Sequence, residues 1–231
     1  MGGYFPEELS THTLSYSPTM APADAIAARY ATLCTRPSDI HEHLPTLRAY
    51  AERVDSIVEM GVRGVVSTWA LLSGLTSGGG GAGKLLIGVD IEPCAYEEPA
   101  RAGRELGVDV RFVQGNSISV DVPERDLLFI DTWHVYGHLR RELAAHHAKT
   151  RKWIVLHDTT VDADVGESIR CRRDIAEQMR VSGYPRAEIE RGLWPAVEEF
   201  LAERREWTLE KRFVNNNGLT VLAKRGAEAR R

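Results

Sequence analysis

The chain has 231 residues, 43% hydrophobic and 27% charged, which suits a soluble globular protein with one sizeable core. Its formal net charge of -4, from 29 basic and 33 acidic residues, argues against a protein that grips nucleic acid by neutralising phosphates. Cys34, Cys94 and Cys171 form no CxxC pair, no apolar run reaches bilayer length, and the opening residues lack a signal-peptide pattern, so the expectation is a cytoplasmic protein with reduced thiols and no membrane partner.

Residues 1–20 are rich in Ser, Thr, Pro and Gly and read as an irregular arm. Ile26, Tyr30 and Leu33 recur at helical spacing within 23–33. A second helix is predicted from Pro45, with Leu44, Leu47, Ala51 and Val54 on one face. Residues 1–55 thus read as an arm with cap helices covering one end, and 56–231 as the main unit, one structural domain overall.

From Ser56 onward strands and helices alternate. Strands are predicted at 56–59, 85–90, 110–113, 127–130 and 153–156. Helices are predicted at 65–75 (ending near Gly74), 93–106 and 135–149, and this order implies a doubly wound, mostly parallel α/β sheet. His138, His146 and His147 fall on the last of these helices and are expected to face solvent. Helical segments follow at 166–181 and 193–204, where Leu193, Val197, Phe200 and Leu201 share a face. Trp194, Phe200 and Trp207 fit a lid or a dimer face, and core more readily than either. Two strand-like runs, 207–214 and 219–223, flank Asn215-Asn216-Asn217-Gly218 and predict a hairpin that adds an antiparallel strand, seven strands in all.

Five strand ends carry polar residues. The first opens into Glu59-Met60-Gly61-Val62-Arg63-Gly64; glycines there let backbone approach a ligand, and they suit a plain strand–helix turn as well. The second ends at Asp90, placed either to accept ribose hydroxyls or to cap a helix. The third ends in Gln114-Gly115-Asn116-Ser117, an adenine-reading edge or a polar turn. The run Gly78–Gly83 followed by Lys84 mimics a phosphate loop, but Leu85 and a strand follow where Ser or Thr and a helix are needed.

Two neighbouring strands deliver Asp131-Thr132-Trp133-His134 and His157-Asp158-Thr159-Thr160. Paired carboxylates repel unless a cation or shared proton compensates. Asp131 and Asp158 therefore fit Mg2+ or another divalent ion, with His134 as candidate general base and His157 as a further ligand or a group that supports the ligands; a purely structural role suits the two histidines equally well. His41, Glu42 and His43 fit either a flap over the substrate or the start of a surface helix.

These residues resemble the Rossmann-like class I S-adenosylmethionine-dependent methyltransferases over roughly residues 36–224. Within them the closest likeness is to divalent-metal-dependent small-molecule O-methyltransferases. The segments carrying it are Asp39–Leu47, Val58–Gly64, Phe129–Gly137 and Leu156–Thr159. The resemblance implies S-adenosylmethionine as cofactor, with Glu59, Gly61 and Gly64 near its methionine part, Asp90 on the ribose and Asn116 and Ser117 at the adenine. It implies Asp131 at cofactor and metal together, a metal on Asp131, His157 and Asp158, and catalysis by His134, Asp131 and Asp158. His134 stands where relatives carry Lys, and Thr159 where they carry Asn. The implied partner is a small-molecule acceptor, with a homo-oligomer left open. Two alternatives share the architecture: an NAD-dependent oxidoreductase, disfavoured because GxGxxG is not met, and a non-catalytic S-adenosylmethionine-binding module.

Overall fold

The computed structural model describes residues 20–78 and 80–226; most of the N-terminal arm read from the sequence lies outside them. Seven strands form one sheet: β1 (Ser56–Met60), β2 (Leu85–Asp90), β3 (Asp109–Gln114), β4 (Arg125–Ile130), β5 (Thr150–His157), β6 (Trp207–Phe213) and β7 (Leu219–Lys224). Their order is β3-β2-β1-β4-β5-β7-β6. β1 to β5 pair in parallel, while β7 lies antiparallel to both β5 and β6. The predicted hairpin is therefore present, and its second strand is the one inserted beside β5. Its turn suits the sequence, because Asn216 (φ 42°), Asn217 (φ 68°) and Gly218 (φ 96°) all take left-handed backbone, which Asn and Gly tolerate best.

Alternate residues along the central strands feed two cores. Ile57, Leu127, Phe129, Trp153 and Val155 face α1 (Pro22–Thr35), α2 (Leu44–Ala51), α3 (Val66–Leu75) and α4 (Glu97–Glu105). Val58, Met60, Leu128, Ile130, Ile154 and Leu156 face α5 (Tyr136–His146) and α9 (Trp194–Glu203). α3 is buried all round from Ser67 to Leu75, as a helix sandwiched between sheet and helices must be. Leu71, Leu72 and Leu75 are fully buried, each contributing about 1.5–3 kcal/mol relative to exposure.

α1 and α2 both pack on α3 and share the core on that side of the sheet. α3 ends at Leu75, as expected, with Gly74 in its last turn. A Cβ there would meet Arg48 O at 2.4 Å and the Ala51 Cβ at 2.5 Å, so glycine permits the close α2–α3 approach. α4 begins at Glu97, later than expected, because Pro93–Tyr96 runs irregularly and buries Tyr96. The helix expected over 166–181 is two, α6 (Glu167–Arg170) and α7 (Ile175–Ser182), split where Arg172 turns left-handed (φ 52°). A further short helix, α8 (Arg186–Glu190), packs with α7 and Val135 in a small third core.

The three histidines expected in solvent are not there. His146 is buried, its Nε2 2.6 Å from Ser117 O and its Nδ1 3.2 Å from Arg125, while His138 and His147 are half-buried. Burial lowers the His146 pKa below the ordinary value, so it serves as a neutral hydrogen-bonding bridge. Phe200 and Trp207 are core; Trp194 is half-buried beneath the Arg212 guanidinium at 3.4 Å. The glycine run connects α3 to β2, and Lys84 Nζ donates to Leu75 O at the α3 terminus (2.8 Å). Among the described residues no helix is long and apolar enough to cross a membrane.

Candidate active site

The carboxyl ends of β1, β2, β4 and β5 meet at the middle of the sheet, where the strand order reverses around β1 and β4. In open α/β sheets this is where ligands bind. Gly61 turns the chain out of β1 with φ +85°, and its N–H donates to Val89 O (2.9 Å). A Cβ on Gly61 would lie 1.8 Å from Asp131 O. The required glycine thus seats the β4 loop against the β1 loop, a contact between segments rather than a ligand gap. Gly64 has no such constraint; Arg63 (φ 42°) and Val65 (φ 55°) carry the left-handed backbone instead. For a β-branched residue like Val65 that conformation is strained, and such strain concentrates at functional sites.

Asp90 holds this loop in shape. Its Oδ2 accepts the Val62 and Arg63 N–H groups (2.8 and 2.9 Å) and its Oδ1 accepts that of Glu92 (3.0 Å). Burial pushes its pKa up, but these backbone donors outweigh it and hold the carboxyl below the usual range. Glu59 points the other way. It is fully buried and accepts Ser67 Oγ (2.5 Å) and Thr68 Oγ1 (2.7 Å) from the first turn of α3. Desolvation, with Asp131 and Asp90 adding to it, pushes its pKa to about 7 despite those two hydrogen bonds. Asn116 is exposed and closes an Asx turn on Ile118 N (2.9 Å), while Ser117 Oγ meets His138 Nε2 at 3.2 Å.

At β4 and β5 the structure brings together every residue singled out for metal binding and catalysis. Asp131 Oδ1 lies 3.1 Å from His134 Nε2 and 3.2 Å from His157 Nδ1. Asp158 Oδ2 lies at the same two distances from the same two nitrogens. His134 Nδ1 faces outward, 2.9 Å from Glu167 Oε2 and 3.3 Å from Asp162 Oδ2, both off the line of an ideal hydrogen bond. His157 Nε2 lies 3.1 Å from Asp39 O. Arg170 makes a forked pair with Asp162 (2.5 and 2.8 Å).

Burial alone would lower the His134 pKa, but its carboxylate neighbours raise it well above the ordinary value; His157, by the same balance, is pushed up to about 10. Asp131 is held far below the usual carboxylate range: burial opposes this, and the two imidazoles prevail. So placed, His134 favours its imidazolium form, which has no lone pair for the base role expected of it; compensation of the surrounding negative charge is a precondition for that role.

The donor set fits a divalent cation. Asp131, His134 and Asp158 offer ligand atoms within 4.8 Å of one another, as do His134, Asp162 and Glu167. Asp158, only 4% exposed, keeps its Oδ1 buried without a hydrogen-bond partner among the described residues, and an orphaned buried acceptor of this kind calls for a ligand. Thr159, in contrast, turns away: its Oγ1 bonds Thr220 Oγ1 on β7 (2.8 Å).

The strap over His157 is built by residues 38–43. His43 is buried and lies 2.9 Å from Asn215 O and 3.1 Å from Asn216 O through its Nε2. Asn216 accepts Glu42 N (2.9 Å) and donates to Ser38 O (2.8 Å). His41–His43 is accordingly a 3-10 turn clasped to the hairpin, and Arg63 pairs with Asp39 at 2.5 Å.

Sequence reasoning missed Asp162, which lies in the irregular stretch after β5, and Glu167, which opens the one-turn helix α6; neither setting carries a period that reports side-chain direction. It also missed the Asp39 carbonyl, which no side-chain pattern reveals. Beside the cluster a small cavity is lined by Thr132, Trp133, His134, Glu142, His157 and Leu193 among others. Trp133 stacks on Tyr184 (5.7 Å between centroids, 16° between planes).

No protein-family model and no curated protein matches the sequence. Solved structures do match in fold. The cofactor-bound Rv0187 from MTB has 17% identity and a TM-score of 0.53, with 94% of each chain covered. The O-methyltransferase TomG from Streptomyces achromogenes, in complex with SAM, has 15% identity and a TM-score of 0.52, with 92% of each covered. The N-methyltransferase NodS from Bradyrhizobium japonicum WM9 has 12% identity and a TM-score of 0.52, over 80% of this chain and 96% of that one. The chain therefore has the fold of the class I S-adenosylmethionine-dependent methyltransferases. O-methyltransferases are prominent among its structural neighbours.

Proposed function

We propose that the protein transfers a methyl group from S-adenosylmethionine to a hydroxyl oxygen of a small metabolite, assisted by a divalent metal. The observation that carries this reading is the convergence of Asp131, Asp158, His134 and His157 beside the Gly61–Arg63 loop, at the switch point of this fold. The loop shaped by Asp90 receives the cofactor, with Gly61 setting its distance from the β4 loop. Asp131 joins the two halves of the site, its backbone seated on Gly61 and its carboxylate in the acidic cluster. A divalent ion held by Asp131, Asp158 and His157 would supply Lewis acidity toward the acceptor hydroxyl. In the transfer the S–CH3 bond breaks as the O–CH3 bond forms in line, S-adenosylhomocysteine leaves, and the hydroxyl proton passes into the carboxylate–imidazole cluster. Since the sulfonium is already reactive, orientation supplies most of the acceleration.

Calorimetric titration with S-adenosylhomocysteine tests the cofactor half of this reading, and micromolar binding is the expected result. Folded protein that binds none of it would overturn the reading and make NAD the next ligand to try. Methyl transfer from labelled cofactor to a panel of hydroxylated metabolites tests the other half. Binding without transfer to any acceptor, unaltered by Asp131→Ala, would favour the non-catalytic module.

A further inference from the structure

Resting on the metal-assisted reading above, we infer that the cluster is a four-donor site of two imidazoles and two carboxylates, suited to a first-row transition ion rather than to Mg2+. Asp131 Oδ1, His134 Nε2, Asp158 Oδ2 and His157 Nδ1 close a ring whose four sides measure 3.1, 3.1, 3.2 and 3.2 Å. Neighbouring ligands on an ion bound at about 2.0–2.2 Å lie roughly 3 Å apart, as each adjacent pair of this ring does; Asp131, His134 and Asp158 already offer atoms within 4.8 Å of one another, and His157 completes the set by drawing in on the ion.

The outer atoms of both imidazoles point the same way. Asp39 O can only accept, so at 3.1 Å it fixes the proton of His157 on Nε2 and leaves the Nδ1 lone pair directed between the two carboxylates. Glu167 and Asp162 place negative charge 2.9 and 3.3 Å from His134 Nδ1, off the line of a hydrogen bond, and this charge favours the proton on Nδ1 and the lone pair on Nε2. An imidazole whose outer nitrogen is held by a carbonyl or carboxylate, with its inner nitrogen on a shared point, is how metal-bound histidines are oriented. Asp158 Oδ1, buried and without a partner among the described residues, adds capacity for a second carboxylate oxygen.

Donor chemistry then selects the ion. Mg2+ takes oxygen ligands almost exclusively, whereas imidazole nitrogen suits Zn2+, Co2+ and Fe2+. On this assignment His134 is a ligand, and the general-base role gives way. Asp162 and Glu167 become positioning residues for its ring.

The rival is a closed network of salt bridges with both imidazoles protonated and no ion. To separate the two, chelator-treated full chain is titrated with Co2+, Zn2+ and Mg2+ in turn, and with S-adenosylhomocysteine separately. One equivalent of Co2+ or Zn2+ is expected to bind about a hundredfold tighter than Mg2+. The proton spectrum of the Co2+-loaded protein should show two exchangeable ring N–H signals shifted far outside the diamagnetic range. His134→Gln and His157→Gln should each remove one of those signals and weaken Co2+ at least tenfold. If either variant fails to fold, the wild-type spectrum still decides. Preference for Mg2+, no shifted ring signals, or no metal binding at all would overturn the proposal. The cofactor titration distinguishes the two failures. S-adenosylhomocysteine binding without Co2+ binding defeats only the metal site, whereas Co2+ binding without S-adenosylhomocysteine binding defeats the methyltransferase reading and leaves the site standing.

Discussion

Replacing Gly61 by alanine tests whether the β1 and β4 loops are locked together. The added methyl would lie 1.8 Å from Asp131 O and 2.5 Å from Asp131 C, separations that no real pair of atoms keeps. Both are backbone atoms, so no side chain can swing aside. Holding alanine at φ +85° costs about 1–2 kcal/mol. Moving Asp131 away also strains the hydrogen bond from its N–H to Met60 O (2.8 Å), worth about 1 kcal/mol. The sum, about 2–3 kcal/mol, corresponds to a melting temperature lowered by roughly 4–12 °C in a domain of this size. Because the same shift carries the Asp131 carboxylate with it and disturbs the Val62–Arg63 loop, S-adenosylhomocysteine should bind at least tenfold more weakly. Thermal unfolding and calorimetry of Gly61→Ala give both numbers. A variant that melts within about 2 °C of wild type and binds S-adenosylhomocysteine unchanged would refute the argument.

Asp90→Asn places an amide against three N–H donors where only one oxygen can accept; a drop in S-adenosylhomocysteine affinity of about tenfold or more is expected by calorimetry. Glu59 has a folded pKa of about 7, above the ordinary carboxylate value. The folded state therefore holds the proton more tightly, and this group's contribution to stability is full below about pH 4.5 and lost as pH rises through 7. Glu59→Gln should remove that fall, so urea unfolding at pH 5 and pH 8 should show wild type losing stability relative to the variant. Equal losses would place the raised pKa elsewhere. Asn216→Ala removes two hydrogen bonds of the strap and puts alanine at positive φ. A loss of about 2–3 kcal/mol, or roughly 4–12 °C in melting temperature, is expected by scanning calorimetry.

The strands were legible because the sheet's interior demands unbroken apolar runs, and Leu127–Ile130 or Trp153–Leu156 satisfy no other environment. Helices packed on the sheet were legible for the same reason. The region from Gly166 to Arg191 was not, because its short helices pack around only Val135, Ile175 and Ile189 and leave too little periodic signal. At the site, strand ends pointed to Asp90, Asp131, His134, His157 and Asp158 through topology alone. What topology does not encode is the partner each polar group finds. Asp90 spends its oxygens on backbone N–H groups, Glu59 turns toward Ser67 and Thr68, and His134 meets Asp162 from a loop and Glu167 from a one-turn helix, neither with a period. Those choices depend on loop paths of a few residues, set by left-handed residues such as Val65 and Asp158 (φ 56°), which single-residue preferences do not announce.

The strap that joins Ser38, Asp39, Glu42 and His43 to Asn215 and Asn216 spans up to 178 positions of sequence. Contacts so remote form late, after the loops between them have closed. A growing chain on the ribosome can complete β1 to β5 and still lack the hairpin that holds the strap, and with it the Asp39 carbonyl, over His157. Order at the Asp131–His157 cluster is thus tied to synthesis beyond residue 217. A nascent chain halted before that point would carry the aspartates and histidines without the arrangement that makes them a site.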